Sequence, residues 1–200
     1  MKILAIQNRM GIGDTVIFLP FIKALYKKFN SPISLLVKES AKADQYLFET
    51  NYIDQILILD RDNNNNSRHT GLIGSFNLIK DLKKNNFDKI FIFNSSLRFN
   101  LIARFSKIPE IYQYPLFDKN KQHITNTPKK FLKDNLNLDV DEDPSIQISE
   151  KSMSETIKNF QINKNELNIL LAIGGSGPTK RIPSKIFLDV ISKISKKKKM

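Results

Sequence analysis

KILAIQNRMGIGD, residues 2–14, runs from an apolar stretch into a glycine-bounded turn that ends on a carboxylate. Ile3, Leu4, Ala5 and Ile6 are apolar without alternation, as in a strand covered on both faces. Beyond the turn, Phe18, Phe21, Ile22, Leu25 and Phe29 recur at helical spacing, so a helix is expected to about residue 29. Pro20 falls inside that pattern and either kinks the helix or marks its true first turn. A buried strand turning directly into a helix opens a βα unit.

The unit repeats along the chain. Further strands are read at residues 33–37, 55–59 and 89–93, with a short one at 111–114. Helices are read at residues 41–49, 71–86, 97–106 and 125–136, and the asparagine run at 63–66 as a low-complexity loop. Strands alternating with helices at these lengths predict an α/β fold: a doubly wound, Rossmann-like parallel sheet with helices on both faces. Asp139, Asp141, Glu142, Asp143 and Pro144 form an acidic break that reads as a linker. The first domain is therefore placed at residues 1–148, followed by a linker helix within 149–165. Residues 166–200 open a second domain: a strand at 167–173, a glycine-rich loop at 174–179 and a helix at 183–194. A lone strand and helix have no sheet to join, so this unit either pairs elsewhere or belongs to a fragment.

Composition narrows the class. Cysteine is absent, which excludes a disulfide framework and thiolate metal sites, and 40% hydrophobic residues suffice for a core. The longest apolar stretch, near residues 16–22, is too short for a spanning helix, and the N-terminal run is too short for a signal peptide. The expected location is cytoplasmic. A net charge of +12 suits acidic partners, yet four of those charges are Lys196–Lys199 and the rest are scattered. No nucleic-acid recognition module accompanies the charge, so nucleic acid is not an expected partner.

Three loops carry candidate chemistry. In Gly11–Ile12–Gly13–Asp14 the third glycine of a dinucleotide fingerprint is replaced by Val16, and Asp14 places a negative charge where a pyrophosphate would sit. This argues against an NAD-binding oxidoreductase. Asp14 instead reads as a general base beside glycines that let a sugar approach, or as a residue that caps the helix. Gly174, Gly175, Ser176, Gly177, Pro178, Thr179, Lys180 and Arg181 join free amides, hydroxyls and two cations, a set suited to a diphosphate. Ser95, Ser96, Leu97 and Arg98 follow the fourth strand; Arg98 suits an anionic substrate group, and a helix cap with an exposed arginine is the alternative. His69 and His123 stand apart without ligand-like neighbours and read as exposed or hydrogen-bonded loop residues.

Together, KILAIQNRMGIGDTVIFLPFIKALYKKF, ISLLVKESAKADQYLFETNYIDQILILD, FDKIFIFNSSLRFNLIARF and LLAIGGSGPTKRIPSKIFLDVISKI resemble glycosyltransferase family 9, the ADP-heptose:lipopolysaccharide heptosyltransferases. The resemblance implies a GT-B enzyme with an N-terminal acceptor domain and a C-terminal donor domain. It implies inverting transfer of a heptose-like sugar from a nucleotide sugar to a lipid-linked saccharide, without a metal or other cofactor, at the cytoplasmic face of the inner membrane. By this resemblance Asp14 is the general base. Ser176, Gly177, Thr179, Lys180 and Arg181 hold the donor diphosphate, and Gly11, Gly13, Ser96 and Arg98 face the acceptor. Ile182 stands where the family usually has an aromatic residue. The family's second domain continues through further βα units, so weak or no transfer is expected of these 200 residues alone, and a non-catalytic half-enzyme that binds a partner is the alternative.

Overall fold

The computed structural model describes the chain except for Met10 and residues 62–66, 117–122, 175–180 and 199–200. The chain divides into two compact units, Met1–Ser149 and Glu150–Met200.

The first unit holds β1 (Ile3–Ile6), α1 (Ile12–Phe29), β2 (Ile33–Lys38), β3 (Ile53–Leu59), α2 (Gly71–Asn85), β4 (Lys89–Ile92), α3 (Leu97–Phe105), β5 (Glu110–Gln113) and α4 (Asn126–Leu136). Its five strands form one sheet in the order β3-β2-β1-β4-β5, and every neighbouring pair is parallel. Alternate side chains of each strand feed opposite cores. Ile3, Ala5, Leu35 and Phe91 pack with Phe18, Ile22 and Leu25 of α1 and Phe131 and Leu132 of α4. Leu4, Ile6, Ile90 and Ile92 pack with Leu78 and Leu82 of α2 and Phe99 and Ile102 of α3. This two-sided burial is why β1 is apolar throughout, and it is the doubly wound sheet that the sequence predicts.

Two expectations for this unit need correction. Residues 41–49 do not form an α-helix. They make two 3-10 turns, Glu39–Ala41 and Ala43–Gln45, separated by Lys42 in the left-handed region at φ 46°. Ala41 and Ala43 are both fully buried. Residues two apart do not share a face of an α-helix, so the chain breaks its turn to bury both. Pro20 does not mark a first turn, because α1 begins at Ile12 and carries Pro20 in its interior. An interior proline costs roughly 3 kcal/mol. Burial of Phe18, Leu19, Phe21, Ile22 and Leu25 on the sheet, at roughly 1.5–3 kcal/mol each, outweighs it.

The acidic stretch 139–144 is fastened along the first unit. Asp139 pairs with Lys133 at 2.5 Å, Asp141 with Lys129 at 2.8 Å, and Glu142 with Lys23 at 2.8 Å and with Lys27. Exposed pairs of this kind are worth little singly, roughly 0–1 kcal/mol. The anchor between them is Val140, which is buried. Downstream, Gln147 Oε1 accepts the Asn51 N–H at 2.8 Å, and the Glu49 carboxylate accepts both the N–H and the hydroxyl of Ser149.

In the second unit, α5 (Glu150–Asn159) and α6 (Ser184–Lys198) are helical. The strand expected at 167–173 is not formed: those residues have no ladder partner, and Leu170 is 95% exposed. A strand's backbone groups need a neighbour to pair with, and the described residues of this unit offer none.

Candidate functional site

In the order β3-β2-β1-β4-β5, the chain leaves β1 toward one side of the sheet and β4 toward the other. The carboxyl ends of β1 and β4 therefore flank the topological switch point, the crevice where open α/β sheets hold ligands. Two loops border it: the turn from β1 into α1 and the turn from β4 into α3.

The first loop is built on Gln7. It is 2% exposed, its Oε1 accepts the Arg9 N–H at 2.7 Å, and its Nε2 donates to the Asp14 carbonyl at 3.3 Å. Gly11 is the N-cap of α1 and has extended backbone, and its N–H donates to Asp14 Oδ2 at 3.2 Å. A Cβ on Gly11 would lie 3.2 Å from that oxygen, so glycine there makes room for the carboxylate. Asp14 thus completes half of a capping box from the third helical position. The same bond orients the half-buried carboxylate and leaves Oδ1 without a hydrogen bond to the described residues. A Cβ on the exposed Gly13 would meet nothing within 4 Å, so the outer approach to this turn is open.

The second loop is held from β5. Gln113 Nε2 donates to the carbonyls of Asn94 and Ser96, at 3.1 and 2.9 Å, and Asn94 Oδ1 accepts the Ser96 N–H at 3.0 Å. Ser96 is the N-cap of α3 yet makes no capping bond with its hydroxyl. Arg98 is not the exposed cation of the capped-helix reading. It is half-buried, Nε donates to Ser75 Oγ at 2.9 Å, and Nη2 donates to the His69 carbonyl at 2.6 Å. Burial, aided by the nearby Arg61 charge, pulls its pKa below the usual guanidinium value.

His69 is buried and hydrogen-bonded. Its Nδ1 accepts the Asp60 N–H at 3.1 Å, so Nε2 carries the proton that faces Asp81 Oδ2 at 3.1 Å. Arg68 forks onto the same carboxylate at 2.9 and 2.7 Å. Chiefly through that bond, the Asp81 pKa falls to about 2. Arg98, His69 and Asp81 together tie the loop after β3 to α2 and to the start of α3.

Several buried polar atoms lack partners among the described residues, three of them on residues that follow β4 and β5. Asn94 Nδ2, Arg98 Nη1 and the Tyr114 hydroxyl are buried and make no hydrogen bond among the described residues. Burial pushes the Tyr114 pKa well above its ordinary value, against the opposing charge of Arg9, so the hydroxyl remains a donor. Buried polar groups are nearly always bonded.

Of the residues singled out in the sequence, Gly11, Gly13 and Asp14 stand on one border of the crevice, and Ser96 and Arg98 on the other. Ser176, Gly177, Thr179 and Lys180 lie outside the described residues. Arg181 is exposed, just ahead of α6. Gln7 and Gln113, which shape both loops, were not singled out. The available signal was a polar residue closing each apolar strand run.

No protein-family model and no curated protein sequence matches the chain. In structure it is similar to a glycosyl transferase family 9 protein from Veillonella parvula, with a TM-score of 0.72 at 19% identity over 94% of this chain and 58% of that one. It is also similar to the E. coli ADP-heptose lps heptosyltransferase II, with a TM-score of 0.54 at 18% identity over 82% of this chain and 52% of that one. For the E. coli heptosyltransferase WaaC, solved with ADP, the TM-score is 0.50 at 10% identity over 80% of this chain and 53% of that one. The fold is the one these glycosyltransferases share over the matched region, and the chain spans somewhat more than half the length of each.

Proposed function

We propose that this chain forms the acceptor side of an inverting GT-B glycosyltransferase acting on a lipid-linked saccharide of the cell envelope. The observation that carries the reading is Asp14: a carboxylate fixed by the Gly11 N–H, with its second oxygen uncommitted, at the switch point opposite Ser96 and Arg98. The fold shared with heptosyltransferases supports it.

In this mechanism Asp14 Oδ1 takes the proton of one acceptor hydroxyl as that oxygen attacks the anomeric carbon of a nucleotide sugar such as ADP-heptose. The new C–O bond forms on the face opposite the leaving group, the bond to the diphosphate oxygen breaks, and the nucleoside diphosphate departs with the electron pair. The anomeric configuration inverts, and no metal takes part. Ser96 and the Nη1 N–H groups of Arg98 hold acceptor oxygens, and Gly11 and Gly13 admit the sugar ring. Ser176, Gly177, Thr179, Lys180 and Arg181 are proposed to stabilise the leaving diphosphate through loop amides and positive charge.

The test measures acceptor binding, which does not depend on turnover. A soluble, deacylated lipopolysaccharide-core saccharide is titrated into the purified chain while backbone amide shifts are followed. Shifts at Gly11–Asp14 and Ser96–Arg98, with roughly 10- to 100-fold weaker binding for Asp14→Ala, are expected if one charge-assisted hydrogen bond of about 1.5–3 kcal/mol is lost. Saccharide binding that ignores Asp14→Ala, or no binding at millimolar concentration, would defeat the reading.

A further inference from the structure

β5 pairs with β4 in parallel, and its last residue, Gln113, stands opposite Ile92, the last residue of β4. Side chains alternate along a strand, so Gln113 shares the face of Ile111, which packs on the core beneath α2 and α3. One half-buried amide is thereby placed between the β4–α3 turn and the first turns of α3.

The orientation of that amide is fixed from both ends. Gln113 Nε2 lies 3.1 Å from the Asn94 carbonyl oxygen and 2.9 Å from that of Ser96. A carbonyl oxygen only accepts, so the NH2 group has to face the turn. Gln113 Oε1 then accepts from Asn100 Nδ2 at 2.7 Å, and Asn100 Oδ1 accepts from Arg104 Nε at 2.8 Å. Arginine only donates, so the outer end of the relay is set as well. Every bond donates toward the turn, and bonds aligned in one sense strengthen one another. Asn94 Oδ1 completes the turn by accepting the Ser96 N–H at 3.0 Å. Both backbone polar groups of Ser96 are therefore held. Its hydroxyl makes no capping bond, although a serine at a helix N-cap ordinarily spends its hydroxyl that way.

We propose that Gln113 is a positioning residue that acts through Ser96: it holds the turn so that the free Ser96 hydroxyl meets the acceptor, and Asn100 and Arg104 set its orientation. The proposal rests on the transferase reading, which assigns Ser96 to the acceptor. Gln113 itself touches no reacting atom. Its contribution is to order the turn before the saccharide arrives, so that binding does not have to supply that order.

The experiment is a double-mutant cycle on the full chain, read by titration with the deacylated lipopolysaccharide-core saccharide. Ser96→Ala removes the hydroxyl and is expected to weaken binding roughly two- to tenfold, the worth of one neutral hydrogen bond. Gln113→Leu should weaken it by a similar factor, displace the Ser96 amide signal of the free chain and leave the signals of Gly11–Asp14 in place. The two changes together should weaken binding no more than either alone, because a misplaced hydroxyl is already lost. A purely structural role would instead multiply the two factors. Asn100→Asp keeps the proposal testable if Gln113→Leu does not fold. Its carboxylate competes with the two carbonyls for Gln113 Nε2, yet an acid near the start of α3, four residues before Arg104, favours the helix. Weaker binding, again absent in the Ser96→Ala background, is expected with a urea midpoint no lower than the parent's. Multiplied factors in the cycle, a Ser96 signal that neither variant moves, or binding that neither weakens overturns the proposal and leaves the transferase reading standing. No saccharide binding by the parent removes that reading and the proposal with it.

Discussion

β1 reads ILAI at Ile3–Ile6, and residues 167–173 read LNILLAI. Both stretches are dominantly apolar, with Asn168 the polar residue of the second, and each is followed by glycines in the sequence. In the first, all four side chains are fully buried, with β2 on one side and β4 on the other. In the second no ladder forms, Leu167 is 56% exposed and Leu170 95%. The difference is not in the residues. β1 sits at the centre of five parallel strands with a helical layer on each face, and the later stretch has no strand beside it among the described residues. A strand is defined by its neighbours as much as by its composition.

The strongest way to break this comparison is a matched truncation. Leu4→Ala empties a position in the core shared by α2, α3 and the sheet, and is expected to cost about 2–5 kcal/mol. That is a large part of a typical domain's stability. Leu171→Ala, in the later stretch, should change unfolding by less than about 0.5 kcal/mol. Urea unfolding of the purified variants decides it. Comparable losses at both positions would mean that residues 167–173 are packed as tightly as β1.

Two glycines sharpen the contrast at a smaller amplitude. A Cβ on Gly74 would lie 2.2 Å from the His69 carbonyl carbon, which is backbone and cannot swing aside. At that position α2 crosses the loop that delivers His69 to Asp81 and Arg98. Gly74→Ala gains roughly 1 kcal/mol of helix propensity, yet it forces apart two segments tied by His69, Arg98 and Asp81. A net loss of about 1–3 kcal/mol is expected, together with a displaced His69 ring signal in the NMR spectrum. A Cβ on Gly174 would meet nothing within 4 Å, so Gly174→Ala should lie within about 0.5 kcal/mol of the parent. If Gly74→Ala is neutral, the close approach at His69 is not a fixed feature of the fold.

The same contrast explains what was legible in the sequence. Periodicity revealed the sheet unit because each of its strands and helices has the neighbour its pattern calls for. It failed at 41–49, where burying Ala41 and Ala43 needs a left-handed residue between them, and at 167–173, where the pattern lacks a partner. At the site, the Gly11–Asp14 turn could be read from its position after a strand. The fastening of Arg98 to Ser75 and His69 could not, because it joins loops 23 and 29 residues apart. Gln7 and Gln113 carried only a weak signal, a polar residue after an apolar run, because their hydrogen bonds rather than their residue type give them their work. The exposed apolar side of α2 was half visible, since that helix carries Leu72, Ile73 and Phe76 in addition to the Leu78 and Leu82 that face the core.

The smallest expected effect is also the most discriminating. Leu170→Ser replaces a side chain that touches little and should leave the urea midpoint unchanged within error, at less than about 0.5 kcal/mol. Its value lies in the backbone beside it. Amides of Ile3–Ile6 lie within paired strands and should exchange with solvent only through opening of the sheet unit. Amides of residues 167–173 lack ladder partners and should exchange orders of magnitude faster, in the parent and in Leu170→Ser alike. Slow exchange there in the parent, lost in the variant, would show that the stretch finds a strand partner in solution, and composition would then have forecast the strand correctly.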